Sequence, residues 1–250
     1  MRQGSNPIAR PNASAAARGF TLLELLISLF VLSIVAGAVF EQINQMQRKS
    51  SSEAMKLDLN QEAREFLDQT VRDLHVSGYP GKSMYSNPDL TKVAAGVVSV
   101  SPTQILFEGD VNNDGNVYSV KIQYIASDPG DPNCPCIRRW ATVKSSADSL
   151  NQPSTNAAYT ETEHVFPPGT GDGQSGEDLF AYYDQNGNPI DVSGGVDISI
   201  PAGPSTSSGS DTMATIKTVK INLSLLTTLR DPATNGLIRT SMSATARLNQ

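Results

Sequence analysis

Residues 20–40 read FTLLELLISLFVLSIVAGAVF, an apolar run of twenty-one residues interrupted only by Thr21, Glu24, Ser28 and Ser33. A helix of that length extends roughly 31 Å at about 1.5 Å per residue, close to the roughly 30 Å hydrocarbon core of a bilayer. The run is therefore expected to span a membrane. The preceding residues, MRQGSNPIARPNASAAARG, carry Arg2, Arg10 and Arg18 and no acid. A secretory signal peptide places its small-residue cleavage site after the apolar run. Here the small residues Ala15 to Gly19 come before it. Cleavage there would remove the basic leader and leave the apolar segment at the start of the mature chain. The leader arginines favour a cytoplasmic N-terminus with the rest of the chain outside; Arg48 and Lys49 beyond the run weaken that asymmetry without reversing it.

Glu24 is the anomaly. A carboxylate at the centre of a spanning helix costs about 2.5–3.5 kcal/mol on insertion scales, and less near an end. Either it snorkels to the interface from the first turn, or it awaits a cation. If the chain is cut after Gly19, Phe20 gains a positively charged amine. That amine on a neighbouring copy could pair with Glu24, turning a penalty in the lone protein into a register signal in an assembly.

The stretch Arg18-Gly19-Phe20-Thr21-Leu22-Leu23-Glu24-Leu25-Leu26 resembles the processing motif of type IV prepilins and type II secretion pseudopilins. The resemblance implies cleavage between Gly19 and Phe20 by prepilin peptidase, N-methylation of Phe20, and an assembly contact at Glu24. It implies as partners other pilins or pseudopilins and an inner-membrane assembly platform. The protein would lie first in the bacterial inner membrane, with its head periplasmic, and then in a pilus or pseudopilus. The chain departs from major pilins in having no proline within residues 20–77, so no proline kink is expected.

From Glu41 to Ser77 the pattern stays helical, with Ile43, Met46, Ala54, Leu57, Ala63, Phe66 or Leu67, Val71 and Leu74 at three- and four-residue steps. Gly78-Tyr79-Pro80 is expected to stop the helix. Beyond residue 90 the period changes to two. The candidate strands are Val97–Val100, Gln104–Glu108, Val117–Ile125, Ile137–Val143, Leu179–Tyr183, Val196–Ile200, Thr215–Leu226 and Leu237–Arg247. Irregular loops separate them at 127–135, 145–158, 167–177 and 201–212. Segments such as VVSVSPTQILFEGDVNNDGNVYSVKIQY, EDLFAYYDQNGNP and IKTVKINLSLL are similar in order to the head of PilW-like minor pilins, with the J-class type II pseudopilin as a related alternative. The fold class expected is α+β, the pilin fold: a long N-terminal helix, its N-terminal half transmembrane, packed on a C-terminal antiparallel β-sheet head. The expected segments are a cleaved leader (1–19), a transmembrane and assembly helix (20–40), its amphipathic continuation (41–78) and a β-rich head (79–250).

The net charge of −6 disfavours a nucleic-acid partner, which needs clustered Lys and Arg. Asp110-Val-Asn112-Asn-Asp114-Gly115 has the one-three-five oxygen spacing of a Ca²⁺ loop, but Lys121 stands where that loop needs a bidentate glutamate. A hairpin turn is the main reading and a Ca²⁺ site at Asp110, Asn112 and Asp114 the alternative; no other cofactor is expected. Asp184-Gln-Asn186-Gly187-Asn188 also reads as a turn. Cys134-Pro135-Cys136 is too close-spaced for structural zinc, leaving a disulfide staple or two free thiols. Trp140, Tyr159, Tyr182 and Tyr183 read as core or sheet-face packing. With only His75 and His164, no catalytic set can be read from spacing, and no enzyme is expected. A tip adhesin using the loops at 145–177, or an enzyme on a pilin-type anchor, are the rivals.

Overall fold

The computed structural model describes residues 20–86, 89–152, 158–169, 177–198 and 213–248. The chain divides into two compact units, one ending at Arg48 and one beginning at Lys49. The helix α1 (Leu22–His75) contributes to both.

In the first unit nearly every described residue of α1 is exposed, including Phe30 and Phe40 at 67% each. By length and composition this helix is long and apolar enough to cross a membrane.

In the second unit α1 buries one stripe: Ser52, Leu59, Ala63, Phe66, Leu67, Thr70, Asp73 and Leu74. The expected stripe is corrected at its N-terminal end. Ala54 and Leu57 are exposed, Leu57 at 67%, and Ser52 and Leu59 take the inward places. Spacing alone cannot tell which of two overlapping faces meets the sheets. The helix ends at His75, and Gly78 adopts φ +83° as the chain turns back. Its N–H then donates to Glu108 O at 2.9 Å.

Among the described residues ten strands follow: β1 Val97–Ser101, β2 Gln104–Gly109, β3 Tyr118–Ile125, β4 Cys136–Val143, β5 Tyr159–Thr162, β6 Phe180–Tyr183, β7 Pro189–Ile190, β8 Val196–Asp197, β9 Thr218–Leu226 and β10 Arg239–Arg247. The architecture is α+β, as expected, and among the described residues the antiparallel head consists of two sheets. The order is β5-β4-β3-β2-β1-β8 in one and β10-β9-β6-β7 in the other. The split arises because β6 pairs with β9, Phe180 opposite Ile221, instead of extending the first sheet. β5 and β7 escape periodicity because strands of four and two residues carry no usable alternation. The expected strand at Thr215 starts only at Thr218, since residues 213–215 form a helical turn. Of the expected Val196–Ile200 strand, residues 199–200 lie outside the described residues, as do 153–157, 170–176 and 201–212 within the expected loops.

One core joins helix and sheets. Leu59, Phe66 and Leu74 of α1 share it with Phe107, Val120, Ile122 and Ile137 of the first sheet and Phe180, Tyr182, Ile221, Leu223 and Leu225 of the second. In β9 the predicted alternation places Val219, Ile221, Leu223 and Leu225 inward. Tyr182 is fully buried, and its hydroxyl lies 3.2 and 3.1 Å from the carbonyls of Ser101 and Gln104.

Two buried ion pairs fasten this core. Asp73 of α1 accepts from Arg139 of β4 at 2.6 Å. Burial pushes the Asp73 carboxyl above its ordinary range, against the pull of the guanidinium. Glu108 of β2 meets Lys144 Nζ at 2.6 Å, with both side chains almost fully buried. Lys144 also donates to Val93 O at 2.9 Å, and Glu108 Oε2 accepts the Ala95 N–H at 2.8 Å. Gly109 ends β2 against the turn after the helix: a Cβ there would stand 2.5 Å from the carbonyl oxygen of Val76.

Two stability predictions follow from these contacts. Lys144→Met should cost roughly 3–5 kcal/mol, because it strands the Glu108 charge. The double change Glu108→Leu with Lys144→Met should cost less, and a double variant as unstable as the single in urea denaturation would refute the stranded charge. Gly109→Ala should lower stability by roughly 1–3 kcal/mol, since the clash is with backbone that cannot rotate away; an unshifted urea midpoint would contradict the close approach.

Candidate processing and assembly segment

Gly19 lies outside the described residues, and Phe20, with 78% of its surface exposed, is the first residue described. Four residues on, Glu24 sits in the first turn of α1. The two ends of Thr21-Leu22-Leu23-Glu24 bind each other. The Glu24 N–H donates to Thr21 Oγ1 at 3.2 Å, and the Thr21 N–H and hydroxyl each reach Glu24 Oε2 at 3.4 Å. This is a capping box, in which a hydroxyl and a carboxylate three residues apart satisfy backbone donors that a helix start leaves unpaired. A negative charge in the first turn also faces the positive end of the helix dipole. Thr21 is the residue that the reading by hydropathy passed over. Its signal is visible in the chain, a Thr-x-x-Glu directly before an apolar run.

The other polar groups of the run are also satisfied within the helix. The Ser28 hydroxyl donates to Glu24 O and the Ser33 hydroxyl to Phe30 O, both at 2.8 Å. Such back-bonding lets a hydroxyl sit in an apolar environment without an unmet donor. Glu24 is the single acid between Phe20 and Phe40, and no Lys or Arg lies in that stretch. The segment thus presents an all-apolar surface with one carboxylate one turn from its start. Chemically it can enter lipid or pack with like helices, and it can receive one cation.

The candidate residues of the head fall on two segments, the turn between β2 and β3 and the Cys134–Cys136 pair at the start of β4. The Asp110 segment connects β2 to β3. The two oxygens of Asp110 accept the N–H groups of Asp114 and Gly115, both at 3.0 Å. Asp114 accepts the Asn116 N–H at 2.9 Å and the Tyr118 hydroxyl at 2.7 Å. The Tyr118 hydroxyl, more than the Asn116 amide, holds the Asp114 carboxyl below its usual range. Asn113 and Gly115 take the positive φ angles, +54° and +82°, that such a turn demands. Asp184 closes the β6–β7 hairpin in the same way, accepting the N–H groups of Asn186 and Asn188 at 2.8 Å.

Cys134 and Cys136 are joined in a disulfide. Asp131 lies beside them, its ligand atom and the two sulfurs within 4.8 Å of one another. Asp131 is already held by Arg138 and by the Thr160 hydroxyl, both at 3.2 Å. His164, at φ +51°, has Nε2 3.9 Å from Glu163. Tyr182 is core, as expected, whereas Tyr159 stands 46% exposed with its hydroxyl bonded to Arg139.

No curated protein and no solved structure matches this chain. Residues 14–40 match the family model described as the prokaryotic N-terminal methylation motif, a segment that takes in Gly19, Phe20, the Thr21–Glu24 box and the whole apolar run.

Proposed function

We propose that this chain is a minor pilin of the PilW-like kind, processed by prepilin peptidase and built into, or priming the assembly of, a type IV pilus. The observation that carries the reading is a coincidence in one segment. The methylation motif at residues 14–40 falls on a helix start where Glu24 is the lone carboxylate of an otherwise apolar surface.

The mechanism follows from that surface. The apolar helix holds the precursor in the inner membrane with its basic leader on the cytoplasmic side. Cleavage between Gly19 and Phe20 removes the leader arginines and frees the Phe20 amine, which is then methylated and keeps its charge. Glu24, held near the helix start by the Thr21 box, meets that amine on a neighbouring subunit. The pair forms where water is scarce, so its geometry selects axial register, while the apolar flanks exchange lipid for other helices. The head calls for no cofactor and no catalysis in this role; it decides which neighbours the copy accepts.

Mass spectrometry and N-terminal sequencing of the protein from its native membrane should return a chain beginning at N-methyl-Phe20. Gly19→Val, which puts a branched side chain at the cleaved bond, should leave the precursor uncut; normal processing of this variant, or a chain starting at Met1, would overturn the assignment. Deleting the protein should reduce surface piliation while leaving type II secretion intact, and the opposite pattern would assign it to the secretion machine.

Glu24 can be separated into its two roles. Glu24→Gln keeps a side chain able to complete the capping box but carries no charge. It should insert in the membrane and fail to assemble, as should Glu24→Val. Filament assembly rescued by Gln and not by Val would mean that the cap, rather than the charge, is what assembly needs.

A further inference from the structure

Among the described residues, three of the four sheet edges are short. β7 and β8 have two residues each, and β5 has four with a register slip opposite Ile137 and Arg138. The fourth edge, β10, is nine residues long (RTSMSATAR), pairs with β9 without a slip, and contains no proline. Long, regular, proline-free edges are what folded proteins ordinarily avoid, because unpaired N–H and C=O groups template further pairing.

The hydrogen bonds at the two ends of the ladder show which groups face outward. Thr227 N–H donates to Ile238 O at 3.0 Å, and Leu248 N–H to Lys217 O at 2.9 Å. In an antiparallel pair, bonded and non-bonded positions alternate. Thr240, Met242, Ala244 and Ala246 therefore bond to β9, and Arg239, Ser241, Ser243, Thr245 and Arg247 turn their N–H and C=O groups away from it. No backbone bond among the described residues reaches these five from the outer side.

The side chains add a chemical preference. The same five residues are exposed on one face of β10. On the other face, Met242 and Ala244 are half-buried at the rim of the core. Arg239 is steadied over the Phe166 ring at 3.8 Å and lies 3.3 Å from Ser224 Oγ. Arg247 stands eight residues on, roughly 27 Å away along an extended strand.

We propose that β10 is an acceptor edge that takes an extended segment of a different polypeptide by β-addition. The segment carries carboxylates opposite Arg239 and Arg247 and apolar residues beside Met242 and Ala244. Charge selects against a second copy of this chain. Antiparallel pairing of two β10 strands through all five positions sets Arg239 opposite Arg247 at both ends, and in-register parallel pairing also brings like charges together. An acid-flanked strand gains main-chain bonds along the edge and ion pairs at its ends.

The test uses the full-length chain in detergent micelles with the synthetic peptide Asp-Val-Thr-Val-Thr-Val-Thr-Val-Asp and a control in which both Asp are Lys. The expected result is binding of the acidic peptide with slowed amide exchange at Arg239, Ser241, Ser243, Thr245 and Arg247. Arg239→Glu with Arg247→Glu should weaken that binding at least roughly tenfold, about 1.4 kcal/mol, and favour the Lys control. Ser243→Pro removes an outward N–H and no bond to β9, so it should abolish binding with melting unchanged; the charge-reversed variant decides the question if the proline lowers folding. No binding of the acidic peptide, equal binding of the control, or protection on other strands would overturn the proposal. So would a peptide-free dimer that protects the same five amides.

Discussion

A helix can hide an apolar face only where another surface meets it, and α1 runs through two regimes under that constraint. Over residues 20–40 the apolar groups lie all round the helix and are exposed. Each Leu, Ile, Val or Phe side chain left in water forgoes about 1.5–3 kcal/mol of burial. Such a surface is stable only in lipid or among other helices. From Glu41 on, charges return, and from Ser52 on one stripe of the helix is covered by the head. The exposed apolar surface thus belongs to the first stretch, and the fold of the head to the second.

What fastens the helix to the head is polar as well as apolar. Asp73 and Arg139 join α1 to the first sheet, and the Glu163 N–H donates to Glu62 of α1 at 3.2 Å. Buried ion pairs add little over a well-packed apolar pair but penalise every arrangement that separates them. In this head they act as locators, setting the helix against β4 and the end of β2 against the chain beyond β4. The close passage of Val76 over Gly109 belongs to the same join, since any larger residue would push the two segments apart.

Much of the head was legible in the chain. Val219, Ile221, Leu223 and Leu225 alternate because β9 has one face on the core and one toward solvent, and that asymmetry is written residue by residue. The Asp110 and Asp184 turns were readable because Asn, Asp and Gly tolerate the backbone angles that a reversal needs. The stripe on α1 was only partly readable. Leu57 fits the helical period as well as Leu59 does, and only the position of the sheets makes one outward and the other inward. The ion pairs could not be read at all, since Asp73 lies 66 residues from Arg139 and Glu108 lies 36 from Lys144.

By itself the sequence determined the features whose causes are local: the apolar run, the Thr21–Glu24 box that opens its helix, the basic leader, the turns and most strands. These depend on propensity, period and charge within a few residues. The tertiary structure decided which stripe of α1 is covered, that β6 leaves the first sheet to join β9, which charges are buried together, and that β10 is the long edge left with outward-facing backbone groups. Those outcomes depend on sums over contacts between residues far apart in the chain, where small differences in packing choose among several pairings that local patterns allow equally.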